Sequence, residues 1–187
     1  MPDISKVIHL GPSGVSKPDK ASVFMELKGK EICASPHIGV KAEPENVTLI
    51  GYPDEESADD SVANQGWRSF DVLPGSEKVL LASGRDIDNV AAILVVNATV
   101  LLDPPNFRAM LESPDMSESI GPMFGEHGGL IIKHFLGSRW GKKNVGEGCY
   151  FFEYETDIEA YLSSEFWANV SAETPWENVT YEMYAVA

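Results

Sequence analysis

The sequence has little cysteine and no long apolar run, and each shortage excludes a class of protein. Only two of the 187 residues are cysteine, Cys33 and Cys149, which is too few for a zinc cluster or a disulfide framework. No stretch approaches the roughly 18 consecutive apolar residues of a membrane-spanning helix. Residues 1–6 lack the basic segment and apolar core of a secretory signal. We therefore expect a cytoplasmic protein with reduced thiols and no membrane association.

Positive charge is also scarce. The chain carries 29 acidic and 14 basic residues, which gives a formal net charge of −15. Such a chain repels phosphate backbones and anionic membrane surfaces, so nucleic acid is not an expected partner. The apolar fraction of 43% and the charged fraction of 23% are ordinary for a globular protein that buries a core.

Three motifs of well-known enzyme sites are missing as well. The chain has no glycine-rich phosphate loop followed by Lys-Ser/Thr, no Gly-x-Ser-x-Gly elbow and no His-Glu-x-x-His. Glu126 and His127 stand side by side without a second cluster of possible ligands. We therefore expect neither a metal ion nor a cofactor.

The first half of the chain, residues 1–90, reads as a β-rich region with turn residues between short strands. We predict strands at residues 6–10, 22–27, 38–41, 47–52 and 78–82. The acidic stretch 55–65 is interpreted as a loop in preference to a weak helix, and residues 84–89 as the boundary between two regions. The first half could also be a degenerate copy of the second.

The second half, residues 91–187, reads as a βαββαβ unit. A buried strand is predicted at 92–102, where apolar and β-branched residues are continuous, and Asp103 with two prolines opens a helix. A second short helix at 116–124 precedes strands at 130–136 and 149–155, which a loop at 137–148 joins. Thr156 and Glu159 match a capping box for a helix at 157–170, and 179–186 forms the last strand. This order is the ferredoxin-like arrangement, an α+β fold.

Two stretches of the second half carry a family resemblance: GLIIKH at residues 129–134 and GCYFFEYETDIEAYL at residues 148–162. They resemble the dimeric α+β-barrel superfamily, and most of all the small monooxygenases of the antibiotic-biosynthesis type. The resemblance covers about residues 91–187. It implies a four-stranded sheet with helices on one face, whose other face meets a second such sheet to form a barrel. A homodimer or the first half of the chain would supply that second sheet.

Strand alternation nominates the residues of a possible pocket. Along 92–102 one face is wholly apolar and should lie under the helices, which leaves Asn97 and Thr99 on the opposite face. His134 stands among aliphatic residues and could act as a general base, with Asn97 or a tyrosine stabilising an oxyanion. Four aromatic residues are predicted to contact a ligand: Tyr150, Phe152, Tyr154 and Trp140.

The resemblance also separates the possible activities. Its members include cofactor-free oxygenases of polycyclic phenols, haem-degrading enzymes, polyketide cyclases and proteins with no known reaction. The haem-degrading members use a histidine on the second helix, and residues 157–170 contain none, so a haem site of that kind is not expected.

Two functions from different classes follow. The first is a cofactor-independent monooxygenase or cyclase with an apolar pocket for an aromatic or polyketide-like molecule. The alternative is a non-catalytic ligand-binding or structural protein of the same fold. In both cases the expected partners are a small hydrophobic or aromatic ligand and a second copy of the chain in a homodimer.

Overall fold

Eight antiparallel strands form one closed barrel in the computed structural model, which describes residues 5–31, 44–58, 65–73, 86–139, 145–172 and 176–187. The strands are β1 (Val7–Pro12), β2 (Val23–Lys30), β3 (Val47–Tyr52), β4 (Arg68–Val72), β5 (Ala92–Val100), β6 (Leu130–Ser138), β7 (Val145–Phe152) and β8 (Trp176–Val186). Around the barrel they follow the order β1-β3-β2-β8-β5-β7-β6-β4, and β4 pairs with β1 to close the ring.

Each half of the chain contributes four neighbouring strands in the same order. In the second half the order is β8-β5-β7-β6, and in the first half it is β4-β1-β3-β2. Both read fourth-first-third-second, the ferredoxin-like order, so the predicted α+β fold class is confirmed. The halves meet at two equivalent seams, where β2 pairs with β8 and β4 pairs with β6. The barrel therefore closes within one chain, and the expected homodimer stays a prediction.

The α-helices that the structure describes lie between strands of the second half. They are α1 (Pro104–Leu111), α2 (Gly121–Gly125), α3 (Glu155–Leu162) and α4 (Glu165–Ala172), with a π-helical turn at Met116–Ile120 and a 3-10 turn at Ile87–Asn89. None of the described helices is long and apolar enough to cross a membrane. On the outer face of the first half, the indole ring of Trp67 packs directly over Gly11, where a larger residue would clash with the ring.

Two apolar cores lie on the two sides of the second half's sheet. On the side of the helices, Leu94 and Val96 of β5 share one core with Tyr161 of α3 and Trp167 of α4. The alternate residues of the same strands face the barrel interior, where they meet side chains of the first half. Both cores are needed, because a sheet with two apolar faces must bury each of them.

A β-bulge in β6 shifts the alternation that the sequence suggests. Leu130 pairs with Phe152, but Ile132 pairs with Phe151, so one extra residue stands in β6 at Ile131. Leu130 therefore packs under the helices with Lys133, whereas simple alternation had placed these two residues on opposite faces. From Ile132 onward the predicted alternation holds.

Several predicted boundaries are corrected. β4 was not predicted, and β7 begins at Val145, four residues before the predicted start at 149. The capping box at Thr156 is wrong, because α3 already begins at Glu155. Instead Tyr154 N donates to Asp157 Oδ2 at 3.1 Å at the start of the helix.

One further prediction, the second long helix, is corrected, and three others concern residues that the structure does not describe. The helix predicted at 157–170 is broken after Leu162, and Ser164 Oγ caps α4 by accepting from Trp167 N at 3.1 Å. The strands predicted at 38–41 and 78–82, and also Cys33, lie outside the described residues.

Candidate functional site

A small cavity of about 80 Å³ lies between the second half's sheet and the helices that cover it. Its floor is formed by residues of β5, β6, β7 and β8, and its roof by α2 and α4. We call this cavity the inner chamber. Its walls are mostly apolar and include Val96, Ala98, Phe124, Lys133, Phe135, Gly146, Glu147, Gly148, Tyr150, Trp167 and Trp176.

Within the described part of the chain, Lys133 is the one cation in the wall of this chamber. Its side chain is only 4% exposed, and Nζ lies 3.1 Å from the ring centroid of Phe135 and 4.1 Å from that of Phe124. Among the described residues no carboxylate pairs with Nζ. The electron-rich faces of the aromatic rings are therefore the groups that interact with the amine. Burial lowers the pKa of Lys133 well below its usual value, because removal from water disfavours the charged amine.

A buried lysine with no anionic partner among the described residues is a reactive group. In its neutral form the amine has a free lone pair, which can accept a proton or attack a carbonyl carbon. Burying the amine costs folding free energy that a leucine in the same place would not cost. The sequence held a signal for this residue, because Lys133 alternates with His134 along β6 and therefore lies on the face that packs under the helices.

The chamber also offers a hydrogen-bond donor. Trp167 lines it from α4, and its Nε1 is buried with no hydrogen-bond partner in the described part of the chain. A buried N–H without an acceptor is uncommon in folded proteins, and an acceptor atom on a bound molecule would satisfy it. Tyr150 faces the same cavity, and burial raises the pKa of its phenol, which therefore stays protonated at neutral pH.

A cluster of charged side chains, separate from Lys133, lies inside the barrel. Arg68 of β4 donates from Nη2 to Glu182 Oε2 of β8 at 2.8 Å. These two strands stand four places apart in a ring of eight, so the ion pair spans the barrel interior. Glu147 of β7 lies beside it, and burial raises the pKa of its carboxyl to about 7, with Glu182 adding to the shift and Arg68 opposing it.

Asn97 belongs to this interior cluster. One terminal atom of its amide lies 2.6 and 3.2 Å from the carboxylate oxygens of Glu147. We assign nitrogen to that atom, because an amide oxygen there would face only acceptor atoms, whereas Nδ2 can donate to the carboxyl oxygens of Glu147. The contact of 3.5 Å between the Asn97 amide and Arg68 Nη1 is too long to outweigh the two shorter ones.

His134 faces the barrel interior at a different level. It is 3% exposed, its ring centroid lies 5.5 Å from that of Phe151, and it pairs across the strands with Cys149. Burial, with a smaller contribution from Lys6, lowers the pKa of His134 to about 4, so its imidazole is neutral at neutral pH.

Asn97 and His134 therefore share a face of the sheet but do not meet. Asn97 pairs with Glu147, two residues along β7 from the partner of His134. Strand spacing then separates the two residues by on the order of 10 Å. Neither of them lines the inner chamber, and the catalytic roles expected for them stay predictions.

The predicted ligand-binding residues are dispersed. Tyr150 lines the inner chamber, and Phe152 is buried beside it, with ring centroids 6.5 Å apart, but does not reach the cavity. Thr99 is half-buried, and its Oγ1 accepts from Asn178 Nδ2 at 3.5 Å. Tyr154 is 63% exposed at the start of α3, and Trp140 lies outside the described residues.

Comparison with known proteins gives a likeness of fold. No protein-family model and no curated protein matches the sequence. A solved "putative monooxygenase" from Lactobacillus acidophilus NCFM has a TM-score of 0.54 at 7% identity, over 98% of this chain and 94% of that one. A solved "putative monooxygenase" from Fusobacterium nucleatum subsp. nucleatum has a TM-score of 0.51 at 10% identity, over 96% and 90% of the two chains.

A third solved structure, of an anthrone oxidase-like protein, has a TM-score of 0.48 at 12% identity, over 98% of this chain and 94% of that one. Identities this low speak for the fold and leave the activity open. The chain thus shares its α+β fold, over nearly its whole length, with both of the solved "putative monooxygenase" structures.

Proposed function

We propose that the protein is a cofactor-independent monooxygenase that oxidises an aromatic small molecule in the inner chamber, with Lys133 as its general base. The observation that carries this proposal is the burial of Lys133, without an anionic partner among the described residues, beside a cavity with aromatic walls. The fold shared with proteins named monooxygenases supports it.

The chemistry needs a base, a dry pocket and dissolved dioxygen. The neutral amine of Lys133 removes a proton from an acidic methylene group that is conjugated to the aromatic ring. The resulting carbanion transfers its electrons to dioxygen and is oxidised by it. One oxygen atom of dioxygen ends in a new carbonyl group at the former methylene carbon. The other oxygen atom leaves as water with the two hydrogen atoms that the methylene group has lost.

Two features of the inner chamber suit this reaction. Its mostly apolar walls exclude water, which favours the uncharged, proton-accepting form of the Lys133 amine and protects the carbanion from reprotonation by solvent. The Nε1 group of Trp167, which no described residue accepts from, can donate to the oxygen atom that gathers negative charge when the proton is lost.

The chamber must enlarge before an aromatic substrate can enter. About 80 Å³ accommodates two or three water molecules and is well below the roughly 300 Å³ or more that is usual for ligand pockets. A ring can enter only if side chains of the roof move. The roof segment that contains Phe124 is the five-residue helix α2, which directly follows the π-helical turn, and such turns occur often at functional sites.

Dioxygen uptake with anthrone tests the proposal, because anthrone is a polycyclic compound with one activated methylene group. We expect the protein to convert anthrone to anthraquinone above the uncatalysed rate. Lys133→Met should lower this turnover by roughly 10²–10⁴-fold, the usual contribution of a general base. Lys17→Gln, in the exposed loop after β1, removes a lysine charge away from the chamber and should keep full activity.

The second candidate is a binding protein without catalysis, and the small volume of the chamber favours it. That function predicts stoichiometric binding of aromatic compounds without dioxygen uptake. Equal uptake by the wild type, Lys133→Met and a protein-free control would establish it over the monooxygenase.

A further inference from the structure

A second and larger cavity, of about 320 Å³, lies beside α1. We call it the outer cavity. Its walls combine apolar side chains, among them Leu73, Val100 and Phe107, with two guanidinium groups, Arg108 and Arg139, and one carboxylate, Asp71. This volume reaches the lower end of the range for small-molecule sites.

The outer cavity and the inner chamber are separated by a single layer of side chains at Gly146. A side-chain carbon at Gly146 would lie 2.5 Å from Val100 Cγ2, 3.5 Å from Trp176 Cζ3 and 3.8 Å from Phe107 Cζ. Gly146 and Trp176 line the inner chamber, whereas Val100 and Phe107 line the outer cavity. The rings of Phe107 and Trp176 pack edge to face with centroids 5.5 Å apart. This pair of rings forms the partition.

The charge of the outer cavity is unusual for so acidic a chain. Arg139 already pairs with Asp71 at 3.0 Å. Arg108, in the last turn of α1, is exposed, and no acidic side chain pairs with it within the described ranges. A guanidinium beside an apolar cavity suits a ligand that has an apolar body and a carboxylate, because the planar donor fork matches the two carboxylate oxygens.

We propose that the outer cavity binds aromatic carboxylates, with the carboxylate at Arg108 and the ring against Leu73, Val100 and Phe107. The cavity is then the entrance to the inner chamber: when the Phe107 and Trp176 rings turn aside, the far end of a bound ring system reaches Lys133. This last step rests on the monooxygenase function proposed above, whereas binding in the outer cavity does not.

Calorimetric titration with two probes of the same shape tests the charge requirement. 2-Naphthoate carries the carboxylate, and 2-naphthalenemethanol carries a neutral hydroxymethyl group on the same ring. The full-length protein should bind 2-naphthoate more tightly. Arg108→Gln should weaken 2-naphthoate binding about three- to tenfold, the range for a partly exposed charge pair, and leave the neutral probe unaffected. Lys17→Gln removes an equal charge elsewhere and should change neither affinity.

The outcomes separate this inference from the proposed function. If 2-naphthoate binding depends on Arg108 while the wild type oxidises anthrone no faster than a protein-free control, the binding site stands and the monooxygenase function fails. If turnover depends on Lys133 but the two naphthalene probes bind equally, or Arg108→Gln binds 2-naphthoate as tightly as the wild type, the outer cavity is not a carboxylate site. Loss of 2-naphthoate binding in Lys17→Gln as well as in Arg108→Gln would also overturn the proposal, because net charge would then explain the result.

Discussion

At the scale of single residues, the protein places ionisable side chains on both faces of one sheet. Lys133 faces the helices, whereas Glu147 and His134 face the barrel interior. Burial lowers the pKa of Lys133 and His134 and raises that of Glu147, so it favours the neutral form of all three. Alternation predicted the interior side for Asn97 and His134 from the sequence. It could not show that Asn97 donates to Glu147, because this contact joins two strands that are far apart in the chain.

Glu147 should make stability depend on pH near neutrality. Its pKa in the folded protein is about 7, above the ordinary value of 4.5, so the folded state binds the proton more tightly than the unfolded state does. The stability that follows from this is fully present below pH 4.5 and is lost as the pH rises through 7. We expect the free energy of unfolding of Glu147→Gln to fall less over this range than that of the wild type.

Urea unfolding at several pH values between about 4.5 and 8 checks this expectation. The exposed Glu177 provides the matched control, since Glu177→Gln should keep the pH dependence of the wild type. Parallel curves for the wild type and Glu147→Gln would mean that the carboxyl titrates normally in the folded state.

At the scale of elements, strong local patterns predicted the second half's strands and first helix well. Asp103 caps α1 as expected, with Oδ1 accepting from Asn106 N at 2.9 Å. The bulge at Ile131 and strand β4 were missed, because neither has a local signature: a bulge is set by pairing with a neighbouring strand, and β4 contains few apolar residues. The start of α3 was misplaced by two residues, since Thr156 and Asp157 both suit the first turn of a helix.

The two possible caps of α3 give a direct comparison. Asp157→Ala removes the acceptor for Tyr154 N and should lower the free energy of unfolding by about 1 kcal/mol. Thr156→Ala, inside the first turn, should change it by less than about 0.5 kcal/mol. Thermal or chemical unfolding of the two variants distinguishes them. A larger loss in Thr156→Ala than in Asp157→Ala would restore the helix start that the sequence first suggested.

At the scale of the whole molecule, the barrel explains why the chain needs both halves. The second half has two free sheet edges and an apolar inner face, and the first half pairs with both edges and covers that face. Sequence reasoning recognised that this face needed cover but left its source open between a homodimer and the first half. It could not decide because the strands of the first half are short and carry only weak local patterns.

The inner chamber exists only in the assembled molecule, because its floor comes from four strands and its roof from two helices. The protonation state of Lys133 therefore shows whether the strands and helices around the chamber are assembled. In the unfolded chain the amine is in water and should titrate near its ordinary pKa of 10.5. In the folded protein the same amine should lose its proton at a much lower pH.

Nuclear magnetic resonance of lysine labelled at Cε tests this claim most directly. We expect one lysine signal to titrate well below pH 10.5, to be missing from the spectrum of Lys133→Met, and to return to ordinary titration in urea. A folded wild-type protein in which every lysine titrates near 10.5 would contradict the account, because Lys133 would then be charged at neutral pH and could not serve as the base.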